Sequence, residues 1–152
     1  MAKTNNGKAA EQAVREALKG INLPCFDWQR MYDVTSARNA MMAQTGDFQW
    51  FLPGRHGVLE VKSTQHEYRL GKGAFSDLQR AKLRQRQAAG GEVWVLVHHY
   101  TAGIWRCVPF AECVETFDTS GQASLDLRGH TTYGSALEAV AAILMEYQDA
   151  LR

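Results

Sequence analysis

Only three cysteines and three prolines occur in this 152-residue chain, and it has no long apolar run. Cys25, Cys107 and Cys113 are odd in number and widely spaced, with no C-x-x-C pair. That pattern supports neither a disulfide framework nor a zinc site, and it fits a reduced protein of the cytoplasm. Apolar runs such as Val93–Val97 fall far short of the roughly 20 residues of a membrane span, so no membrane partner is expected. Met1–Lys8 is polar and lacks the apolar centre of a signal peptide. No H-E-x-x-H, G-x-S-x-G or G-x-G-x-x-G motif is present, so zincin, α/β-hydrolase and dinucleotide-binding signatures are missing. Repeats, low-complexity tracts and linkers are lacking too. Charge of one sign is not in excess, because the net charge is +1.

What is present is ordinary in bulk and uneven in distribution. Hydrophobic residues make up 45% and charged residues 22%, as in a globular domain. The length suits one domain, 1–152, able to bury roughly 70% of its unfolded surface. Residues 55–86 carry eight basic residues against three acids, whereas 110–152 carry two against seven. A basic middle in a near-neutral chain can present one positive face to a polyanion, although a solvated helix face has the same composition.

Periodicity gives the element order. Residues 8–20 predict a helix with Ala10, Val14, Ala17 and Leu18 on one stripe, continued by Ile21 and closed by Gly20 and Pro24. Cys25–Tyr32 predicts a strand, 33–45 a loop with a short helical turn, and Asp47–Leu52 and Gly57–Ser63 two strands about Pro53–His56. A loop over 64–74 is followed by a helix capped by Ser76 and stopped by Gly90-Gly91. Strands follow at Val93–His99 and Ile104–Val108, then a short helix near 110–116 and a small strand at 124–127. Ser135 caps a last helix with Leu137, Val140, Ala141, Leu144 and Met145 or Tyr147 inward. This is a single α/β domain, αβββαβ with additions, on a mixed sheet.

The two central strands carry the chemistry. Phe48, Trp50 and Leu52 share one face of the first, and Gly57, Leu59 and Val61 one face of the second. A register pairing Leu52 with Gly57, Trp50 with Leu59 and Phe48 with Val61 gathers these apolar residues and sets Asp47 opposite Lys62. Glu60 shares the face of Lys62, so Asp47, Glu60 and Lys62 converge. Neighbouring carboxylates repel unless a cation lies between them or one is protonated. Mg2+ and Mn2+ take carboxylate and phosphate oxygens, and a lysine beside them can act on water or on charge developing at phosphorus. That is the minimum kit for metal-assisted phosphodiester hydrolysis. Spacing alone leaves open that these residues are the wet side of a hairpin. Glu11 lies at the edge of the first helix's buried stripe, where a carboxylate needs a partner. That partner is either this site or a neighbouring Lys8 or Arg15.

Asp47, then Glu60-Val61-Lys62 after the hairpin, between a helix with Glu11 and a second helix, resembles the PD-(D/E)XK nuclease superfamily. Gly46 stands where proline precedes the acid in the name motif. Thr45-Gly46-Asp47-Phe48, Glu60-Val61-Lys62-Ser63-Thr64 and Phe75-Ser76-Asp77-Leu78-Gln79 look most like RecU-type and phage Holliday-junction resolvases, over about 7–109. The long insertion of RecU proteins is not recognisable in the short 33–45 segment. The resemblance implies a restriction-endonuclease-like core over 8–109 with 110–152 as a C-terminal addition. It implies Mg2+ or Mn2+ on Asp47, Glu60 and the Val61 carbonyl, with Glu11 a weaker ligand. Lys62 would act on the attacking water, and Gln79 would steady a water or the scissile phosphate. Arg38, Arg55, Arg69, Lys72, Arg80 and Arg84 would contact branched DNA, cut by a homodimer in the cytoplasm of a cell or of a phage's host. Two other readings remain: a DNA endonuclease of the same superfamily without junction preference, and a binding module that kept the fold. Retention of Asp47, Glu60 and Lys62 counts against the last.

Overall fold

The structure, a computed structural model, describes residues 5–31 and 47–150. Helix α1 (Asn5–Gly20) precedes β1 (Asp27–Arg30), β2 (Phe48–Leu52) and β3 (Arg55–Thr64). Then come β4 (Arg69–Gly71), a 3-10 turn (Lys72–Ala74) and α2 (Asp77–Ala88). β5 (Glu92–His99) and β6 (Ile104–Pro109) follow, then α3 (Phe110–Cys113), which runs on into a π-helical segment (Val114–Thr119). β7 (Ser124–Asp126) and α4 (Ala136–Ala150) complete the chain. The main sheet has the order β1-β2-β3-β5-β6. β3 and β5 are parallel and the other neighbours antiparallel. A parallel pair needs a crossover, and α2 lies within it. Among the described residues no helix is long and apolar enough to cross a membrane.

Alternation along the strands builds two core layers. Phe48, Trp50, Leu59, Val61 and Leu96 pack with the α1 stripe and with α4. Val58, Val93, Val95 and Val97 pack with Leu83 of α2 and with Phe110, Cys113 and Phe117. Glu60 and Lys62 alternate with Val61, so they project on the α2 side. Covering both faces explains the nearly continuous apolar sequence of β5.

The hairpin register differs from the expected one by two residues. Trp50 pairs with Gly57, Phe48 with Leu59, and Leu52 with Arg55. The loop is Pro53-Gly54 alone, and Gly54 has φ +74°, the proline-then-glycine pattern of a type II turn. A shift of two preserves every side chain's face, so the apolar and polar sets stay as expected.

Two other expectations need correction. The 64–74 segment is not only loop, because β4 pairs with β7 in a second, two-stranded sheet, Leu70 opposite Leu125. In α4, Ala136, Ala139, Val140, Ile143 and Leu144 are buried, while Leu137 and Met145 are 46% and 50% exposed. Two overlapping apolar stripes share Val140 and Leu144, and packing on α1 selects the one through Ile143. Within 110–152, α4 closes one core layer. Residues 33–45, with Arg38, and the side chain of Tyr147 lie outside the described residues.

A polar cluster sits at the far end of β5. His99 is fully buried, with Nδ1 2.6 Å from the His66 carbonyl oxygen. Arg106 places one guanidinium nitrogen 3.1 Å from His99 Nε2 and donates to the Glu67 carbonyl at 2.5 Å. A carbonyl only accepts and a guanidinium only donates, so the ring is neutral with its proton on Nδ1. Burial pushes the His99 pKa down from the ordinary 6.5, helped by the charges of Arg106 and His98 and opposed by the His66 bond. Burial lowers His98 as well. With folded values below the unfolded one, the unfolded chain binds more protons as pH falls through about 6.5. Stability contributed by the neutral rings is thus present above pH 6.5 and lost below it, down to the folded pKa. A thermal melt series from pH 8 to 5 is expected to show Tm falling below about pH 6.5, with a weaker fall in His99→Gln. A wild-type Tm flat over that range would contradict the assignment.

Candidate active site

The site forms where β3 outruns β2. Their pairing ends at Phe48 and Leu59, while β3 continues beside β5 to Thr64. Asp47 stands at that step. Its N–H donates to the Leu59 carbonyl at 2.9 Å, and its carbonyl accepts from Met31 N–H at 2.9 Å. Asp47 therefore ties β1 and β3 together at once, and its side chain is fixed as well. Oδ2 accepts from Val61 N–H at 2.7 Å. In an extended strand the N–H and C=O of one residue point the same way, so the Val61 carbonyl faces the same edge as Asp47.

Glu60, on the next strand, is 1% exposed, and Asp47 3%. Burying a carboxylate is costly unless hydrogen bonds or opposite charge compensate. For Glu60 the compensation is a three-membered network. Gln79 Nε2 donates to Glu60 Oε1 at 2.8 Å, Lys62 Nζ lies 3.0 Å from the same oxygen, and Lys62 Nζ donates to Gln79 Oε1 at 3.2 Å. The amide thus bridges acid and base, which fixes its orientation, oxygen toward lysine and nitrogen toward carboxylate. The Lys62 ammonium also rests 4.7 Å from the centre of the Phe75 ring, an attractive placement for a cation.

Local sequence explains how Gln79 arrives there. Ser76 is the N-cap of α2, and its hydroxyl oxygen accepts from Gln79 N–H at 3.0 Å. Ser76-x-x-Gln79 has the spacing of a capping box, in which the glutamine would turn back to the cap. Here its side chain reaches across to β3 instead. The Gln79 expectation rests on resemblance, and the structure brings it into contact with both Glu60 and Lys62. Phe75 entered the sequence reading only as part of the resemblance, with no role assigned, because an apolar residue before an N-cap is an ordinary helix entry.

Glu11 is placed differently from its three companions. It is half-buried and engaged in an interaction. α1 packs against the layer of Phe48 and Val61, opposite the side on which Glu60 projects. Among the described residues no three acids, histidines or cysteines stand together as a ready metal cluster.

The basic residues divide. Arg55 is paired with Glu92 at 2.7 Å, donates to the Leu144 carbonyl at 3.0 Å, and lies over Trp50. Arg80 is buried, pairs with Asp118 at 2.7 Å and bonds Asp77. Both were expected on DNA, and both are instead occupied in holding the fold: Arg55 ties β3 to β5 and α4, and Arg80 ties α2 to the π-helical segment. Arg84 is about half exposed, 3.4 Å from Asp118. Arg69 is exposed and Lys72 half-buried, on and beside β4. Arg38 lies outside the described residues.

No family model matches the sequence, and no curated protein is similar to it by sequence. A solved structure is similar in fold: Hjc of the archaeal hyperthermophile Archaeoglobus fulgidus, described as a Holliday junction resolvase. It is 18% identical, the match covers 87% of this chain and 98% of that one, and the TM-score is 0.56. That coverage is more than residues 7–109 alone could supply, so the likeness takes in part of 110–152. At this identity the likeness is one of fold: a mixed α/β, restriction-endonuclease-like architecture around a central sheet with one parallel pair.

Proposed function

We propose that this chain, read as one nuclease domain, is a metal-dependent DNA endonuclease that hydrolyses phosphodiester bonds, with four-way or otherwise branched DNA as its substrate. The observation that carries the reading is the Glu60–Gln79–Lys62 network beside Asp47, on a fold shared with a described junction resolvase. Asp47, Glu60 and the Val61 carbonyl are hard oxygen donors on one edge, a set that suits Mg2+ or Mn2+. Such an ion, when bound, supplies Lewis acidity toward a phosphate oxygen and toward water. Glu11 would add at most an outer or water-mediated contact.

The chain's own residues supply position and charge. Water adds to phosphorus as one P–O ester bond breaks. The water loses a proton, the departing oxygen gains one, and negative charge grows on the non-bridging oxygens. Lys62 has three N–H donors, of which Glu60 and Gln79 accept two. The third is the donor available to a phosphoryl oxygen or the attacking water. Gln79 acts by fixing both partners. A homodimer would match the two-fold symmetry of a four-way junction, and an odd number of widely spaced cysteines suits a reducing cytoplasm.

The test is cleavage by wild type of labelled four-way junction, linear duplex and single-stranded DNA, with Mg2+, Mn2+ or EDTA. Paired nicks in the junction, dependent on metal and faster than cutting of the linear forms, are expected. Equal cutting of all three keeps the hydrolysis and overturns the junction preference. No cutting of any overturns the enzyme.

A further inference from the structure

With Arg55 and Arg80 committed to Glu92 and Asp118, phosphate recognition needs cations elsewhere, and the second sheet holds them. We infer that the outer face of the β4–β7 ribbon is a DNA-backbone contact, built on Arg69, Arg128 and Lys72 with Tyr68 as their seat, gripping phosphates beside the one that is cut. This rests on the nuclease reading and names the surface by which the substrate is held.

The ribbon is amphipathic. Leu70 and Leu127 are buried in the second core layer, whereas Arg69 and its cross-strand partner Asp126 are exposed. Two guanidinium groups converge on one ring: Arg69 lies 5.4 Å and Arg128 4.8 Å from the centre of Tyr68. Each is also held by a polar neighbour. Arg69 donates to Ser124 Oγ at 3.0 Å, and Arg128 donates to both carboxylate oxygens of Asp126, from Nε to Oδ1 at 3.1 Å and from Nη2 to Oδ2 at 2.6 Å. Exposed pairs of this kind add little to stability. Their consequence is that two planar, always charged donors are fixed outward, with less freedom left to lose on binding a phosphate. Within residues 65–72 and 124–128 the acids are Glu67 and Asp126, against Arg69, Lys72 and Arg128.

Both ends of the ribbon lead to the active site. From Lys62 the chain passes Thr64 and enters β4 at Arg69. From Gly71 it runs through Lys72–Ala74 to Phe75, whose ring meets Lys62. An open groove lined by Gln65, His66, Glu67, Tyr68 and Arg69 follows the same edge. On this reading, a strand with its scissile phosphate at Lys62 runs on along that edge toward the ribbon. Arg128 belongs to the acidic 110–152 segment, where charge counting gives no reason to look for a DNA contact.

The experiment is equilibrium binding of labelled junction and duplex in EDTA, between 50 and 200 mM NaCl, for wild type, Arg69→Ala/Arg128→Ala, Tyr68→Leu and Tyr68→Phe. Melting curves check folding, and Lys19→Ala on α1 serves as a control. Losing two phosphate contacts should flatten the slope of log affinity against log salt by about 2 and weaken binding about 10- to 100-fold. Tyr68→Leu should lose part of this and Tyr68→Phe, which keeps the ring, less of it, while Lys19→Ala stays at wild type. A folded double variant with wild-type affinity and slope overturns the ribbon contact and leaves the nuclease reading intact. Wild type that binds neither DNA overturns both.

Discussion

Glu60→Gln is expected to lower the rate of metal-dependent DNA cleavage by about 10³-fold or more while leaving the fold intact. The substitution is isosteric. An amide oxygen in the place of Oε1 still accepts from Gln79 Nε2 and Lys62 Nζ, which lie 2.8 and 3.0 Å away. What disappears is the charge, and with it the hard donor for a divalent ion and the counter-charge to Lys62. Lys62→Met, which keeps the aliphatic stem over Phe75, should cost a similar factor. The two changes together should cost little more than either alone, because the groups act as one unit. Gln79→Ala should cost less, about 10- to 100-fold, since it removes the group that orients the pair and not the pair itself. Single-turnover rates on one junction, with melting curves for each variant, provide the check. If folded Glu60→Gln cuts within a factor of three of wild type, the network is not the catalytic centre.

Gly57→Ala is expected to be the most damaging small substitution for the fold. A Cβ there would sit 2.5 Å from the Glu92 carbonyl oxygen and 2.6 Å from Trp50 Cζ2. The first is backbone of the neighbouring strand, and the second belongs to a fully buried ring. Neither can retreat without parting β3 from β5 or displacing Trp50 from the core. Overpacking of this kind costs about 3 kcal/mol, out of a typical total of ~5–15 kcal/mol. For a domain of this size that lowers Tm by on the order of 10 °C. Gly54→Ala offers the contrast: its Cβ meets nothing within 4 Å, and the cost is only that of φ +74°, about 1 kcal/mol. Trimming the ring as Trp50→Leu should make Gly57→Ala less harmful than in the wild-type background, a coupling that a double-mutant cycle measures. Equal melting of Gly57→Ala and wild type would show that the hairpin is not packed as described.

The same pairing shows why the expected register went astray without harm to the site. Sequence alternation specifies only which face a residue takes. It cannot distinguish registers two residues apart, so Asp47, Glu60 and Lys62 gather on one side in either. The choice fell to the Pro53-Gly54 turn and to the need for an empty position under Trp50, which Gly57 supplies. The α1 stripe was legible for a similar reason, because Ala10, Val14, Ala17 and Leu18 leave one possible buried face. In α4, apolar residues surround more of the helix, and contact with α1 had to choose between stripes sharing Val140 and Leu144.

By itself, then, the sequence determined the order of elements apart from β4, the two-faced hairpin with its acids and lysine, the Ser76 and Ser135 caps, and the basic character of the middle of the chain. Tertiary structure alone decided which basic residues are spoken for. Arg55 and Arg80 sit in the same basic stretch as Arg69, yet Glu92 and Asp118 neutralise the first two and only the third stays outward. It also paired β4 with β7, set Phe75 beneath Lys62, and brought Arg128 beside Arg69. Local pattern is set by neighbours a few residues apart, through periodicity and turn chemistry. The partner of a charge lies 37 or 38 residues away in the chain, and only the packed sheet brings the two together.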